Sequence, residues 1–290
     1  MTSLTHTVYD VYTYITEDLA SPVTKNWFLV GKFQNVLLIL AGYFYFCTTL
    51  GPRYMKERKP YNLKNVIKIY NIFQILISLY LCYEGTRYVF FTDFNFYCKG
   101  LNDPDSEVAK RIASAVWIYF VLKIIDLMDT VFFVLRKSNR QITQLHLHHH
   151  TLMPFAGWIA VTYMPGGQAV IIGYINSFVH AVMYTYYLLA GLGDTYKKYL
   201  WWKKYLTMLQ LIQFAIIGVH SVRSLFYSCS YPIVLKILTC LYAAIFINMF
   251  GQFYYNSYIK AKNTKSNESP KQNTKKNANG QTKLITDRVK

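Results

Sequence analysis

The chain has 290 residues, 53% hydrophobic, 18% aromatic and only 16% charged, and its 31 Lys and Arg against 14 Asp and Glu give a formal charge of +17. That apolar and aromatic content excludes a disordered chain. The apolar residues come in blocks of about 20, the length that crosses a bilayer core, which argues against an ordinary soluble enzyme, whether of one large domain or two small ones.

Residues 1–26 hold Thr5, His6, Asp10, Glu17 and Asp18 but no apolar run, so no cleavable signal peptide is expected and the first membrane helix directs insertion. Seven apolar stretches follow, at 33–50, 66–83, 113–135, 145–163, 168–190, 205–221 and 232–255, and predict an all-α polytopic membrane protein of seven transmembrane helices. Segments 51–64, 136–140, 191–204 and 257–290 carry 21 Lys and Arg, against 6 in 1–26, 85–112, 164–167 and 222–231. The positive-inside rule puts the first set in the cytosol, which leaves the N-terminus outside or in a lumen, as an odd number of spans requires. The expected division is a luminal segment 1–26, a membrane domain 27–256 and a basic tail 257–290. That tail, poor in large apolar residues from Ile259 on, reads as disordered and drawn to anionic lipid headgroups rather than to nucleic acid. Its sequon Asn267-Glu268-Ser269 would then face the cytosol, away from glycosylation. Trp201 and Trp202 before Lys203 and Lys204 read as an interfacial anchor.

The cysteines sort by compartment. Cys47, Cys82 and Cys240 fall within spans, where a buried thiol is inert. Cys98 and Cys229 fall in loops assigned to the non-cytosolic side, where a disulfide can persist; spacing alone leaves pairing and two free thiols both open.

Ionisable residues at membrane depth are costly and mark function. In the third span Lys123, Asp126, Asp129 and Thr130 recur on one helical face; Lys123 and Asp126 read equally as a structural ion pair, whereas Asp129 looks towards another helix. The fourth span opens with Gln144-Leu145-His146-Leu147-His148-His149-His150. At about 100° per residue His146, His149 and His150 share a face and His148 falls on the far side, an arrangement that packing does not require. Pro154 follows, where a bend is expected. In the fifth span Asn176, His180, Met183, Tyr184 and Tyr187 share a face, and in the sixth Thr207, Gln210 and Gln213 form a ladder that reads as interhelical glue. A rise of about 1.5 Å per residue puts all of these in the cytosolic half, roughly 5–15 Å deep. Basic loops around such a chamber suit an anionic soluble substrate.

Histidines bind metal, shuttle protons or act as nucleophiles. Membrane di-iron desaturases and hydroxylases use the same His-x-x-His-His spacing but need roughly eight histidines, and this chain has seven in all. A single metal held by His146, His149, His150 and His180 with Asp129 is the competing enzymatic reading. A seven-span receptor or transporter fits the topology but not four helices sharing a polar face.

Four boxes in order, Lys123-x-x-Asp126-x-x-Asp129-Thr130, His146-x-x-His149-His150, Asn176-x-x-x-His180-x-x-Met183-Tyr184-x-Tyr186-Tyr187 and Thr207-x-x-Gln210-x-x-Gln213-Phe214, resemble those of the very-long-chain fatty acid elongase family over about residues 25–260, as does the stretch from Tyr199 to Lys204. The chain departs from the family at Asp126, where Glu is usual, at His148, where an aromatic is common, and at its C-terminus, which lacks a dilysine retrieval signal. The resemblance implies condensation of a long-chain acyl-CoA with malonyl-CoA to a 3-oxoacyl-CoA, with no metal and no cofactor beyond the two substrates. It implies residence in the endoplasmic reticulum membrane beside the reductases and dehydratase of an elongation cycle, and six of seven helices around a narrow acyl tunnel closed at the luminal end. It also implies pairing of Cys98 with Cys229, a nucleophilic His149 oriented by His146 and His150, and His180 and Asn176 as donors to the enolate. Asp129 would hold an imidazole tautomer. Lys123, Arg136, Gln141, Tyr186, Tyr187, Lys203, Thr207 and Gln210 match acyl-CoA contacts, with basic tail residues near Lys265 close to the phosphates.

Overall fold

The computed structural model describes residues 2–260. Helix α1, Thr2–Thr13, loosens into wider turns through Asp18, where Leu19 N–H reaches back to Tyr14 O. The helices that follow are α2 Phe33–Met55, α3 Lys64–Phe91, α4 Glu107–Ile125, α5 Met128–Leu135, α6 Gln144–Tyr163, α7 Val170–Gly191, α8 Lys203–Leu225 and α9 Ile233–Tyr254, the last continuing in wider turns to Lys260. Residues 261–290, where most of the expected tail falls, lie outside the described residues, as do Lys265 and the sequon; the first residues assigned to that tail, 257–260, are helical.

Five helical stretches are long and apolar enough to cross a membrane: Phe33–Met55, Lys64–Phe91, Gly167–Gly191, Lys203–Leu225 and Ile233–Lys260. The chain is thus an all-α polytopic membrane protein. The two further spans expected at 113–135 and 145–163 have another character. The first is broken: α4 ends at Ile125, Leu127 and Asp129 close tight turns onto Ile124 O and Asp126 O, and α5 starts afresh at Met128. The second, α6, is continuous through Pro154, but its first two turns are given over to histidines.

Local chemistry sets the helix ends that matter. Ser106 Oγ accepts from Ala109 N–H to start α4, and Thr143 Oγ1 accepts from His146 N–H to start α6, each satisfying a first-turn donor. At the end of α5, Lys137 takes a positive φ of 54°, with Lys137 N–H on Val134 O and Ser138 N–H on Phe133 O, the double closure that satisfies last-turn carbonyls.

Packing closes the helices into a ring. Helix α3 lies along α7, α7 touches α8, α8 packs on α9, α9 touches α6, α6 packs on α4, and α4 returns to α3. All six line one cavity of about 170 Å³ whose wall is largely aliphatic and aromatic. Helix α2 packs against α6 from outside, and the strand-free segment before it is fastened to the ring: Thr24 Oγ1 donates to Val161 O, and the Trp158 and Trp117 indoles donate to Val30 O and Phe28 O. Glu84 of α3 takes both arms of Arg111 of α4 at 2.7 Å.

The end of the cavity near Ala169 and Tyr231 is stitched together. Cys98 and Cys229 are disulfide-bonded across 131 residues, Lys99 N–H donates to Gln168 Oε1, Gln168 N–H returns to Lys99 O, and Gln168 Nε2 pairs with His220 Nε2. Gly167 has φ of +58°, and a Cβ there would fall 2.8 Å from Lys99 O and Gly100 O, so only glycine fits. Lys236 Nζ, buried, caps the end of α8 by donating to Ser224 O and Tyr227 O.

Candidate active site

The histidine face forms as the helical period requires. His150 is buried, His146 and His149 are half-buried, and His148 is exposed, its Nδ1 2.7 Å from Gln144 O on its own helix. The His146 and His150 rings lie 4.1 Å apart and those of His149 and His150 5.7 Å. His149 also packs against Phe246 at 5.0 Å and Phe250 at 6.2 Å, both from α9, and Phe246 is part of the cavity wall. His146 Nε2 is taken up by Thr130 Oγ1 at 2.8 Å, and Thr130 is backed by Tyr43 OH of α2, also at 2.8 Å. In contrast, His149 Nδ1 and His150 Nδ1 are buried with no hydrogen-bond partner among the described residues.

A second cluster sits between α3, α4, α5 and α7. Lys123 Nζ lies 3.0 Å from Asp126 Oδ2, with both side chains almost wholly buried, and 3.3 and 3.4 Å from the two ring nitrogens of His180. Asp126 Oδ1 accepts from Gln74 Nε2 at 2.8 Å and from Tyr184 OH at 3.2 Å. Tyr184 OH also donates to Asp129 Oδ2 at 2.8 Å, and Tyr70 OH lies 3.4 Å from Tyr184 OH. Asp129 thus meets a tyrosine of another helix, and the carboxylate beside an imidazole is Asp126, 3.6 Å from His180 Nδ1. Lys123 is 2% exposed, with Asp126 and His180 as its neighbours.

Asn176 Oδ1 accepts from Tyr119 OH at 3.0 Å, and Asn176 lines the cavity. Of the other expected contacts, Tyr187 adjoins the second cluster and the rest have other neighbours. Arg136, Gln141 and Lys203 are exposed; Tyr186 packs on Trp202 at 5.0 Å, and Tyr187, 38% exposed, packs on Tyr184 at 5.9 Å. Buried Thr207 lies 3.5 Å from Tyr258 OH, and Gln210 Nε2 points at Met183 Sδ, 3.7 Å away.

Tyr43, Tyr70, Gln74 and Tyr119 hold the clusters yet were not singled out by sequence. For Gln74 the signal was there, a polar side chain inside the second apolar stretch; the tyrosines read as ordinary aromatics of a membrane core. Among the described residues no three His, Cys, Asp or Glu side chains group to hold a metal ion, so the ligand set of the metal-dependent reading is not assembled.

Comparison with known proteins agrees with the boxes. The family profile ELO: GNS1/SUR4 family matches residues 28–266. Very long chain fatty acid elongase 7 of Rattus norvegicus is 42% identical over 244 residues, covering 83% of this chain and 86% of that protein. Very long chain fatty acid elongase 7 of Drosophila melanogaster is 37% identical over 280 residues, 96% of this chain and 84% of the relative, and very long chain fatty acid elongase 1 of Homo sapiens is 37% identical over 246 residues, 84% and 88%. A profile match over most of the length, joined to relatives aligned over most of both partners, decides the matter: this chain belongs to the ELO (GNS1/SUR4) family of very long chain fatty acid elongases.

Proposed function

We propose that the chain is a very-long-chain 3-oxoacyl-CoA synthase that condenses a long-chain acyl-CoA with malonyl-CoA through an acyl-imidazole on His149. The observation that carries the mechanism is a histidine face with free ring nitrogens, whose His149 packs on Phe246 in the wall of a six-helix, mostly apolar cavity. In this reading the protein has seven spans, α4 with α5 and α6 being the two polar ones, and six of them surround the acyl chain. Its N-terminus is luminal and it resides in the endoplasmic reticulum.

His146 is tied to Thr130, which leaves His149 as the ring beside the cavity wall with no side-chain partner on Nδ1. A neutral imidazole attacks the thioester carbonyl, the carbon–sulfur bond breaks, and the departing thiolate takes the imidazole proton. The acyl chain lies along the apolar cavity, where exclusion of water protects the acyl-imidazole from hydrolysis. Malonyl-CoA then loses carbon dioxide, and the resulting enolate carbon attacks the acyl carbon. The carbon–nitrogen bond breaks, and the freed imidazole takes one proton from the cytosol, completing the 3-oxoacyl-CoA. Asn176, held by Tyr119 through Oδ1, offers its amide N–H to the enolate. Lys123, Asp126, Gln74 and Tyr184 keep His180 in place as a positioning cluster. Arg136, Gln141, Lys203, Tyr186, Tyr187, Thr207 and Gln210 contact the CoA portion at the cytosolic face, and the product passes to the reductases and dehydratase of the cycle.

The test supplies acyl-CoA without malonyl-CoA and looks for an acyl adduct by intact-mass and peptide analysis. The expected mass increase is one acyl group, located on His149 and discharged when malonyl-CoA is added. An elongation-competent protein that never carries the adduct would sink the acyl-imidazole.

A further inference from the structure

Two polar side chains in the cavity wall each hold a buried atom with no partner among the described residues. Gln213 of α8 and Ser177 of α7 both line the cavity and are 3% and 2% exposed, and Gln213 Oε1 and Ser177 Oγ are buried without a hydrogen bond. Interhelical glue, the part that the spacing of Thr207, Gln210 and Gln213 suggests, needs an acceptor or donor on another helix. Gln210 finds Met183, but Gln213 finds nothing among the described residues. Unpaired buried polar groups are destabilising and rare, so a pair of them facing one cavity points to a group that enters it.

Their position along the cavity says which part of the ligand they meet. Phe214, next to Gln213, stacks on Phe246 at 5.1 Å, and Phe246 packs on His149 at 5.0 Å. Ser177 follows Asn176, which lines the same cavity. Both free groups therefore lie towards the histidine end, where the one carbonyl of an otherwise apolar acyl chain would sit.

We infer that Gln213 and Ser177 are catalytic residues that bind the acyl carbonyl oxygen, an inference that rests on the acyl-transfer reading above. In each step a bond forms at the acyl carbon and the carbonyl π pair moves onto oxygen. The Ser177 hydroxyl donates to that oxyanion, and so does the Gln213 amide once a half-turn of its terminal group puts Nε2 where the unpaired Oε1 lies. The pair returns when the bond to sulfur breaks in the first step, and the bond to the imidazole nitrogen in the second. Groups unpaired in the free protein and paired as donors at the transition state act on kcat rather than on substrate affinity.

The test uses Gln213→Leu and Ser177→Ala in the full-length detergent-solubilised protein. Gln213→Leu should lower kcat by about 10²-fold, as loss of one such donor does, with KM for acyl-CoA within about twofold; Ser177→Ala should lower kcat in the same direction. Ligand-free Gln213→Leu should melt no lower than the parent, because an apolar side chain of similar size replaces an unpaired amide. A kcat within tenfold of the parent, or a lowered Tm marking Gln213 as structural, would overturn the inference. The adduct experiment keeps the two readings apart: without an adduct the acyl-imidazole falls, while the kcat loss in Gln213→Leu still reports a donor on the attacked carbonyl.

Discussion

The two polar clusters of the site differ in how completely they are bonded. In the acid cluster Lys123, Asp126, Asp129, Tyr184 and Tyr70 bond one another across four helices, and only Gln74 Oε1 is left over. In the histidine cluster only His146 is anchored, while His149 and His150 each keep a buried ring nitrogen free. Satisfied buried polar networks rigidify, whereas unsatisfied groups wait for something to pair with. In the mechanism proposed above, the first cluster holds geometry and the second does chemistry, with Gln213 and Ser177 completing the second from the cavity side.

Removing a member of each cluster gives opposite signatures. His149→Ala should lose turnover by on the order of 10³-fold or more, as loss of a nucleophile does, and retain most of its Tm, because no recorded hydrogen bond depends on that ring. Steady-state elongation assays beside thermal melts of the same preparation check both halves. Asp126→Ala should do the reverse first. It leaves Lys123, 2% exposed, without its ion pair, and removal of one partner from a buried pair costs about 3–5 kcal/mol. The melt should fall steeply, and any loss of activity should follow the fraction folded. An Asp126→Ala protein that melts like its parent would show that the acid cluster is not the scaffold claimed for it.

How much of this was legible in sequence follows from what a one-dimensional pattern encodes. The period of 3.6 placed His146, His149 and His150 on one face and His148 off it, because position on a continuous helix depends only on residue number. The same period turned Asp129 towards another helix, where it meets Tyr184, but gave no sign of the helix break before it, which carries no glycine or proline to announce it. Hydropathy found the five long apolar helices, but the order of the ring does not follow from it. The approach of α3 to α7, for example, depends on Gly85, where a Cβ would fall 2.6 Å from the Tyr174 ring. Tyr43, Tyr70 and Tyr119 escaped notice because a tyrosine hydroxyl adds nothing to a hydrophobic pattern, and only the fold shows which of the chain's 27 tyrosines meet a polar partner.

The smallest expected effect is the sharpest check on the face argument. His148 lies between two of the site histidines in sequence, is exposed, and bonds only the carbonyl of Gln144, four residues back on its own helix. Alanine is a better helix former and the site loses no contact, so His148→Ala should change stability by no more than about 0.5 kcal/mol. Turnover should stay close to that of the parent in the same assay that finds His149→Ala inactive. Any explanation resting on histidine number, including a metal held by the whole run, predicts that adjacent imidazoles matter alike. Equal losses at His148 and His149 would favour it, whereas a large loss at one and none at its neighbour requires a helix with a reactive side and an idle one.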